Sequence, residues 1–157
     1  MLTQHGAFLF SVTEMKKTGK PMRMIATYIV SLLVFLALDA LWLGFIARDF
    51  FVAQMGPLLR DDPNFVVAAL FYLVFVAGIL YFAVLPGLRE GSLLVAVLNG
   101  AFLGLLAYGT YDITNLAVLK GYPPILAMVD MSWGTFVSGV TAGAGYYAAK
   151  TLGWSVG

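Results

Sequence analysis

The chain has 157 residues, of which 61% are hydrophobic and 11% charged, with a formal net charge of +1. Soluble domains are about 45–50% apolar and about 25% charged, so this chain lacks the polar residues to cover a water-facing surface. A near-neutral balance without a basic stripe excludes a nucleic-acid partner, because nothing would neutralise a phosphate backbone. The absence of cysteine excludes disulfides, thiol redox chemistry and cysteine-held metals. The single histidine, His5, stands in the N-terminal segment, so histidine-based haem and zinc sites are not expected. These exclusions leave a small integral membrane protein.

Residues 1–23 read as a poorly patterned tail. Its apolar stretch Ala7–Val12 precedes Lys16, Lys17 and Lys20, the reverse of the order in a signal peptide. Met15, Met22 and Met24 each offer a start for the chain. A membrane domain is expected over 24–150, followed by a short tail over 151–157. A bilayer core needs about 20 helical residues, and four stretches supply them: 25–46, 65–85, 93–119 and 125–149. Polar breaks separate them at Ala47–Asn64, Pro86–Ser92 and Lys120–Pro124. A transmembrane barrel would need alternating polarity over about ten residues in at least eight strands, which the sequence does not contain. Helices satisfy their backbone groups internally, as lipid demands. The expected fold is all-α, a four-helix membrane bundle.

Orientation follows from Lys and Arg near the span ends. Lys16, Lys17, Lys20, Arg23, Arg89 and Lys150 fall on the side of both termini, against Arg48, Arg60 and Lys120 on the other. This predicts cytoplasmic termini; a start at Met22 would leave three against three and remove the bias.

Each of three spans carries an aspartate, although an Asp at the centre of a membrane helix costs roughly 2.5–3.5 kcal/mol. Asp39 and Asp112 each stand seven residues before the end of their spans, and Asp130 five residues into its own. At about 1.5 Å per residue all three lie at a similar depth in one leaflet. On the third span Tyr108, Tyr111, Asp112 and Asn115 fall at i, i+3, i+4 and i+7, one helical face. The first and fourth spans share a short pattern, Asp39-x-x-Trp42 and Asp130-x-x-Trp133. That spacing sets each indole one turn from its carboxylate, where it can shield the acid and donate its N–H. A shared pocket is therefore expected from Asp39, Trp42, Tyr108, Tyr111, Asp112, Asn115, Asp130 and Trp133, its carboxylates titrating as one unit. The second span contributes bulk through Phe71, Tyr72, Phe75 and Tyr81.

Arg48 and Lys120 are the nearest cations along the chain and the expected partners of any remaining charge. The alternative role for the aspartates is interhelical glue, hydrogen-bonded to a neighbouring helix. Gly100-x-x-x-Gly104 and Gly139-x-x-x-Gly143 mark close helix packing. Trp154 is expected at the membrane interface, and Trp42 either there or beside Asp39. Arg48-Asp49 and Arg60-Asp61-Asp62 read as a solvated loop face.

The segments Leu38-Asp39-Ala40-Leu41-Trp42-Leu43-Gly44, Tyr111-Asp112-Ile113-Thr114-Asn115 and Val129-Asp130-Met131-Ser132-Trp133-Gly134-Thr135 resemble a bacterial family of small membrane proteins catalogued as domain of unknown function 2177. The resemblance extends through Phe71-Tyr72 and Leu85-Pro86 and covers roughly Met24 to Lys150. It implies a four-span protein of the bacterial inner membrane with a start near Met22 or Met24. It implies no activity, so the roles of the residues rest on their chemistry.

Three functions fit that chemistry. An acidic, aromatic pocket could bind or transport a proton, a cation or a small amphiphile, with a homodimer enlarging the site. A membrane-embedded enzyme could act on a lipid or isoprenoid by acid–base chemistry, with Asp112 and Asp130 as the pair and Tyr111 as a donor. A structural subunit of a membrane complex would use the polar residues as glue and the glycines as its interface. No cofactor is expected. No metal is expected either, since Mg²⁺ at the three aspartates would have to shed tightly held water. The lipid bilayer and a small-molecule or lipid ligand are the expected partners.

Overall fold

The computed structural model describes residues 3–56, 59–60 and 62–154, with side chains from Gly19 onward. The side chains of His5, Lys16 and Lys17, and all of Asp61, lie outside the described residues. Among the described residues the elements are α1 (Thr3–Leu41), α2 (Arg48–Met55), α3 (Phe65–Ile79), α4 (Leu85–Glu90), α5 (Leu93–Val118) and α6 (Pro124–Thr151). Five-residue π turns at Trp42–Ile46 and Leu80–Val84 extend α1 and join α3 to α4. Four stretches are long and apolar enough to cross a membrane: Gly19–Ile46, Phe65–Glu90, Leu93–Val118 and Pro124–Thr151. Large apolar side chains such as Phe45, Phe65, Val74 and Leu98 point outward, which suits a solvent of lipid tails as apolar as they are.

Three boundaries differ from the sequence expectation. The segment read as a tail is helical from Thr3 and continuous with the first span; Ala7, Leu9, Glu14, Met15 and two lysines are all good helix formers. The second span does not stop before Pro86 but runs on to Glu90. Proline lacks an N–H and its ring clashes with the carbonyl four residues back. Here the π turn widens the helix just before it, with Leu85 N–H donating to the Leu80 carbonyl, and Pro86 opens the next helical segment. The break Ala47–Asn64 contains α2, whose Phe50, Phe51 and Met55 pack against Tyr122, Leu126 and Ala127. Arg48, Asp49, Arg60 and Asp62 are exposed, as a solvated loop face requires.

Caps define the remaining turns. Asn64 accepts from Val67 N–H at the start of α3, and Ser92 from Val95 N–H at the start of α5. Gly91, at φ 64°, reverses the chain between α4 and α5. At the end of α6, Gly153 takes φ 67°, its N–H bonds to the Lys150 carbonyl and Trp154 N–H reaches back to that of Ala149. This pair of bonds is a Schellman ending, and such endings fold the residue after the glycine back onto the helix. Trp154 is consequently 7% exposed and belongs to the core cluster with Val84 and Ala149. Arg23 closes the same end of the bundle by donating to the Gly153 carbonyl at 2.7 Å.

Helices α5 and α6 form an antiparallel hairpin with a seam of small residues. A Cβ on Gly100 would stand 2.6 Å from that of Ala142, and one on Gly104 would strike the Gly134 carbonyl and Ser138. Gly139 and Gly143 border the seam against Ala101 and Val97. Gly134 itself lies beneath the ring of Tyr108, where no side chain fits. Helix α1 packs along α6, with Ser31 against Gly145, and α3 closes the fourth side. The core holds Phe35 of α1, Phe75, Val76 and Ile79 of α3, and Val137 and Ala142 of α6.

Overpacking of a tight contact costs about 1–3 kcal/mol, so Gly104→Ala is expected to lower thermal stability in detergent by that order. Gly78→Ala, where a Cβ meets nothing within 4 Å, should be neutral or stabilising by up to about 1 kcal/mol through helix propensity.

Candidate functional site

The three aspartates keep a common depth. Asp39 precedes the end of its span at Ile46 by seven residues, Asp112 precedes Val118 by six, and Asp130 follows Pro124 by six, each about 9–10 Å from the span end. They do not share one environment. Asp39 and Asp130 line a cavity of about 230 Å³ together with Tyr72, Tyr108, Tyr111 and Trp133 from the spans. Leu43, Phe51, Met55 and Tyr122 complete it from the π turn, α2 and the α5–α6 turn. Asp112 lies outside this lining, fully buried, and accepts from the Tyr122 hydroxyl at 2.7 Å.

Asp39 is the most connected of the three. It is 4% exposed and accepts two hydrogen bonds, from Tyr72 of α3 at 2.5 Å and from Trp133 Nε1 of α6 at 3.2 Å. One carboxylate thus joins three helices. The two Asp-x-x-Trp patterns do not each work within their own helix. The indole of Trp133 donates to Asp39, three helices earlier among the spans, and stacks on Trp42 with ring centroids 4.5 Å apart and planes 6° from parallel. Trp42 is half-buried, and its Nε1 has no hydrogen-bond partner among the described residues. The expectation is of an indole serving the acid on its own helix; the donor to Asp39 comes instead from across the bundle.

Arg48 and Lys120, the cations expected to balance the carboxylates, are exposed. The carboxylates' hydrogen-bond donors are instead Tyr72, Trp133 and Tyr122. The two basic residues stand beyond the span ends, where long cationic side chains extend toward water. Asp130 is half-buried and receives no hydrogen bond among the described residues. The i, i+3, i+4, i+7 face of α5 also divides. Tyr108 and Tyr111 face the cavity, Asp112 turns toward Tyr122, and half-buried Asn115 is not among the walls of this cavity. Of Asp112, Asp130 and Tyr111, considered together as acid–base residues, only the last two share the cavity. No three His, Cys or acidic residues among those described converge as metal ligands.

Sequence reasoning missed Tyr72, Tyr122, Phe51 and Met55. Tyr72 carried a usable signal: a tyrosine within an apolar span needs a partner for its hydroxyl, and the only strong acceptors at its depth are the aspartates. Phe51 and Met55 are spaced i, i+4 on a short helix inside a polar break, and only the packing of that helix onto Tyr122 and Leu126 brings them over the site.

The Tyr122 phenol is pushed well above the usual tyrosine range, first by burial and then by its bond to Asp112. Asp112 Oδ2 has no partner among the described residues, so Tyr122 supplies the only hydrogen bond its carboxylate receives there. Tyr122→Phe is expected to destabilise the protein by roughly 1–3 kcal/mol, the penalty for a buried polar group left unmet. Asp112→Leu in the Tyr122→Phe background should recover most of the loss. Because the folded state holds the phenolic proton more tightly, the contribution is complete below about pH 10 and declines above it. Alkaline unfolding of wild type and Tyr122→Phe measures that difference.

The family model described as predicted membrane protein (DUF2177) matches residues 24–147. No curated protein and no solved structure matches the chain. The matched region contains Asp39, Asp112 and Asp130 with all of their hydrogen-bond donors, and most of the chain: the protein belongs to this family of predicted membrane proteins.

Proposed function

We propose that the protein binds an organic cation within the bilayer, at the cavity between Asp39 and Asp130. The observation that carries this reading is Asp130, a carboxylate at membrane depth that lines the cavity and receives no hydrogen bond among the described residues. A charge left so in a low-dielectric setting is costly unless a counter-charge arrives. The walls around it are aromatic, from Tyr72, Tyr108, Tyr111 and Trp133, and ring faces attract organic cations, above all quaternary ammonium groups. Asp39, already served by two donors, supplies a second negative group without competing for Asp130's role.

The test is equilibrium binding of trimethylphenylammonium to the protein in lipid nanodiscs. Asp130→Asn is expected to weaken binding at least about tenfold, or about 1.4 kcal/mol. Asp112→Asn, which changes a group turned toward Tyr122, should stay within about threefold of wild type. Unchanged affinity in Asp130→Asn would overturn the proposal.

A further inference from the structure

Tyr72, Tyr108, Tyr111 and Asp130 also line a second cavity, of about 290 Å³, so the two spaces are neighbours with these four residues between or beside them. Beyond these four the second cavity has no further polar side chain: its other walls are Phe35, Phe71, Phe75 and Ala107. The rings form a continuous aromatic wall, with Phe71 stacked on Phe75 at 6.0 Å and Phe75 edge-on to both Phe35 and Tyr108.

Two wall residues show where this space reaches the protein surface. Phe71 of α3 is 60% exposed and Tyr111 of α5 is 55% exposed. Phe71 follows the start of its span by six residues, and Tyr111 precedes the end of its span by seven, each about 9–10 Å inside the membrane. The flank of the second cavity bordered by these two residues therefore faces acyl chains. Each cavity alone is smaller than the roughly 300 Å³ at which small-molecule sites begin, whereas a ligand occupying both would have a volume within that range. A compact cation at Asp130 would leave the aromatic space without contacts, forfeiting the dispersion energy that its walls offer.

We infer that the ligand is a cationic amphiphile, an amine or quaternary ammonium head bearing one apolar arm, with the head between Asp130 and Asp39 and the arm in the aromatic chamber. It enters sideways from the bilayer, between α3 and α5. The inference rests on the cation reading above and adds the arm, its chamber and its route.

Tetramethylammonium, a head alone, and octyltrimethylammonium, a head with an arm, are titrated onto the protein in phosphatidylcholine nanodiscs, with empty discs subtracted. Tryptophan fluorescence supplies the signal, since Trp133 lines the acidic cavity and stacks on Trp42. Wild type is expected to bind the octyl compound at least tenfold more tightly. Ala107→Leu, which fills the aromatic chamber, and Phe71→Ala, which removes its outer wall, should each cut that preference to under threefold and leave tetramethylammonium within twofold. Should Ala107→Leu not fold, Phe71→Ala on the lipid-facing surface gives the same readout. A preference that is absent in wild type, or that survives both substitutions, overturns the arm while the cation reading stands, provided Asp130→Asn weakens both compounds. If Asp130→Asn weakens neither, the cation reading fails and takes this inference with it.

Discussion

A carboxylate in a membrane span has to find hydrogen-bond donors inside the protein, and the two that reach Asp39 determine how this bundle closes. Tyr72 approaches from α3 and Trp133 from α6, so α1, α3 and α6 meet at one buried acid. Lipid supplies no hydrophobic force between helices, and packing and polar contacts must hold them. The small-residue seam holds α5 to α6, and the Asp39 junction recruits the other two spans to that hairpin. The alternative reading of the aspartates as interhelical glue therefore describes Asp39 well. It fits Asp112 less well, because its donor Tyr122 stands in the turn that follows Asp112's own helix. It does not describe Asp130, which binds no neighbouring helix through a hydrogen bond among the described residues.

That division of labour gives the cavity its chemistry. Two acids of similar depth differ because one is saturated by an indole and a phenol, while the other faces open space between aromatic rings. Above them lie Phe51 and Met55 of α2 and Tyr122, held over the cavity by apolar packing with Leu126 and Ala127. Phe71 of α3 and Tyr111 of α5, both exposed on the flank of the bundle, border the aromatic side of this space.

Much of the architecture was legible in the sequence because lipid imposes simple rules. Long apolar runs had to be helices, and Gly100, Gly104, Gly139 and Gly143 had to be places where helices touch. The depth of Asp39, Asp112 and Asp130 could be counted along the chain. Facing could not. The periodicity that put Asp112 with Tyr108 and Tyr111 on one side of α5 spans an arc wide enough for the helix to show Asp112 to Tyr122 and the tyrosines to the cavity. Partnership was equally hidden, since Asp39-x-x-Trp42 suggests a local pair and the donor comes from Trp133, 94 residues away. The helix within Ala47–Asn64 escaped notice because its polar flanks, Arg48, Asp49, Arg60 and Asp62, made the whole break look solvated.

The packing of Tyr108 on Gly134 has a mechanical consequence. One wall of the cavity is set on the α5–α6 seam, where backbone meets backbone and there is no slack to take up or release. Tyr108 cannot swing inward against the chain beneath it. The opposite wall is set differently, by Tyr72 of α3 through its bond to Asp39. One side of the space is thus fixed by backbone contact and the other by a side-chain hydrogen bond.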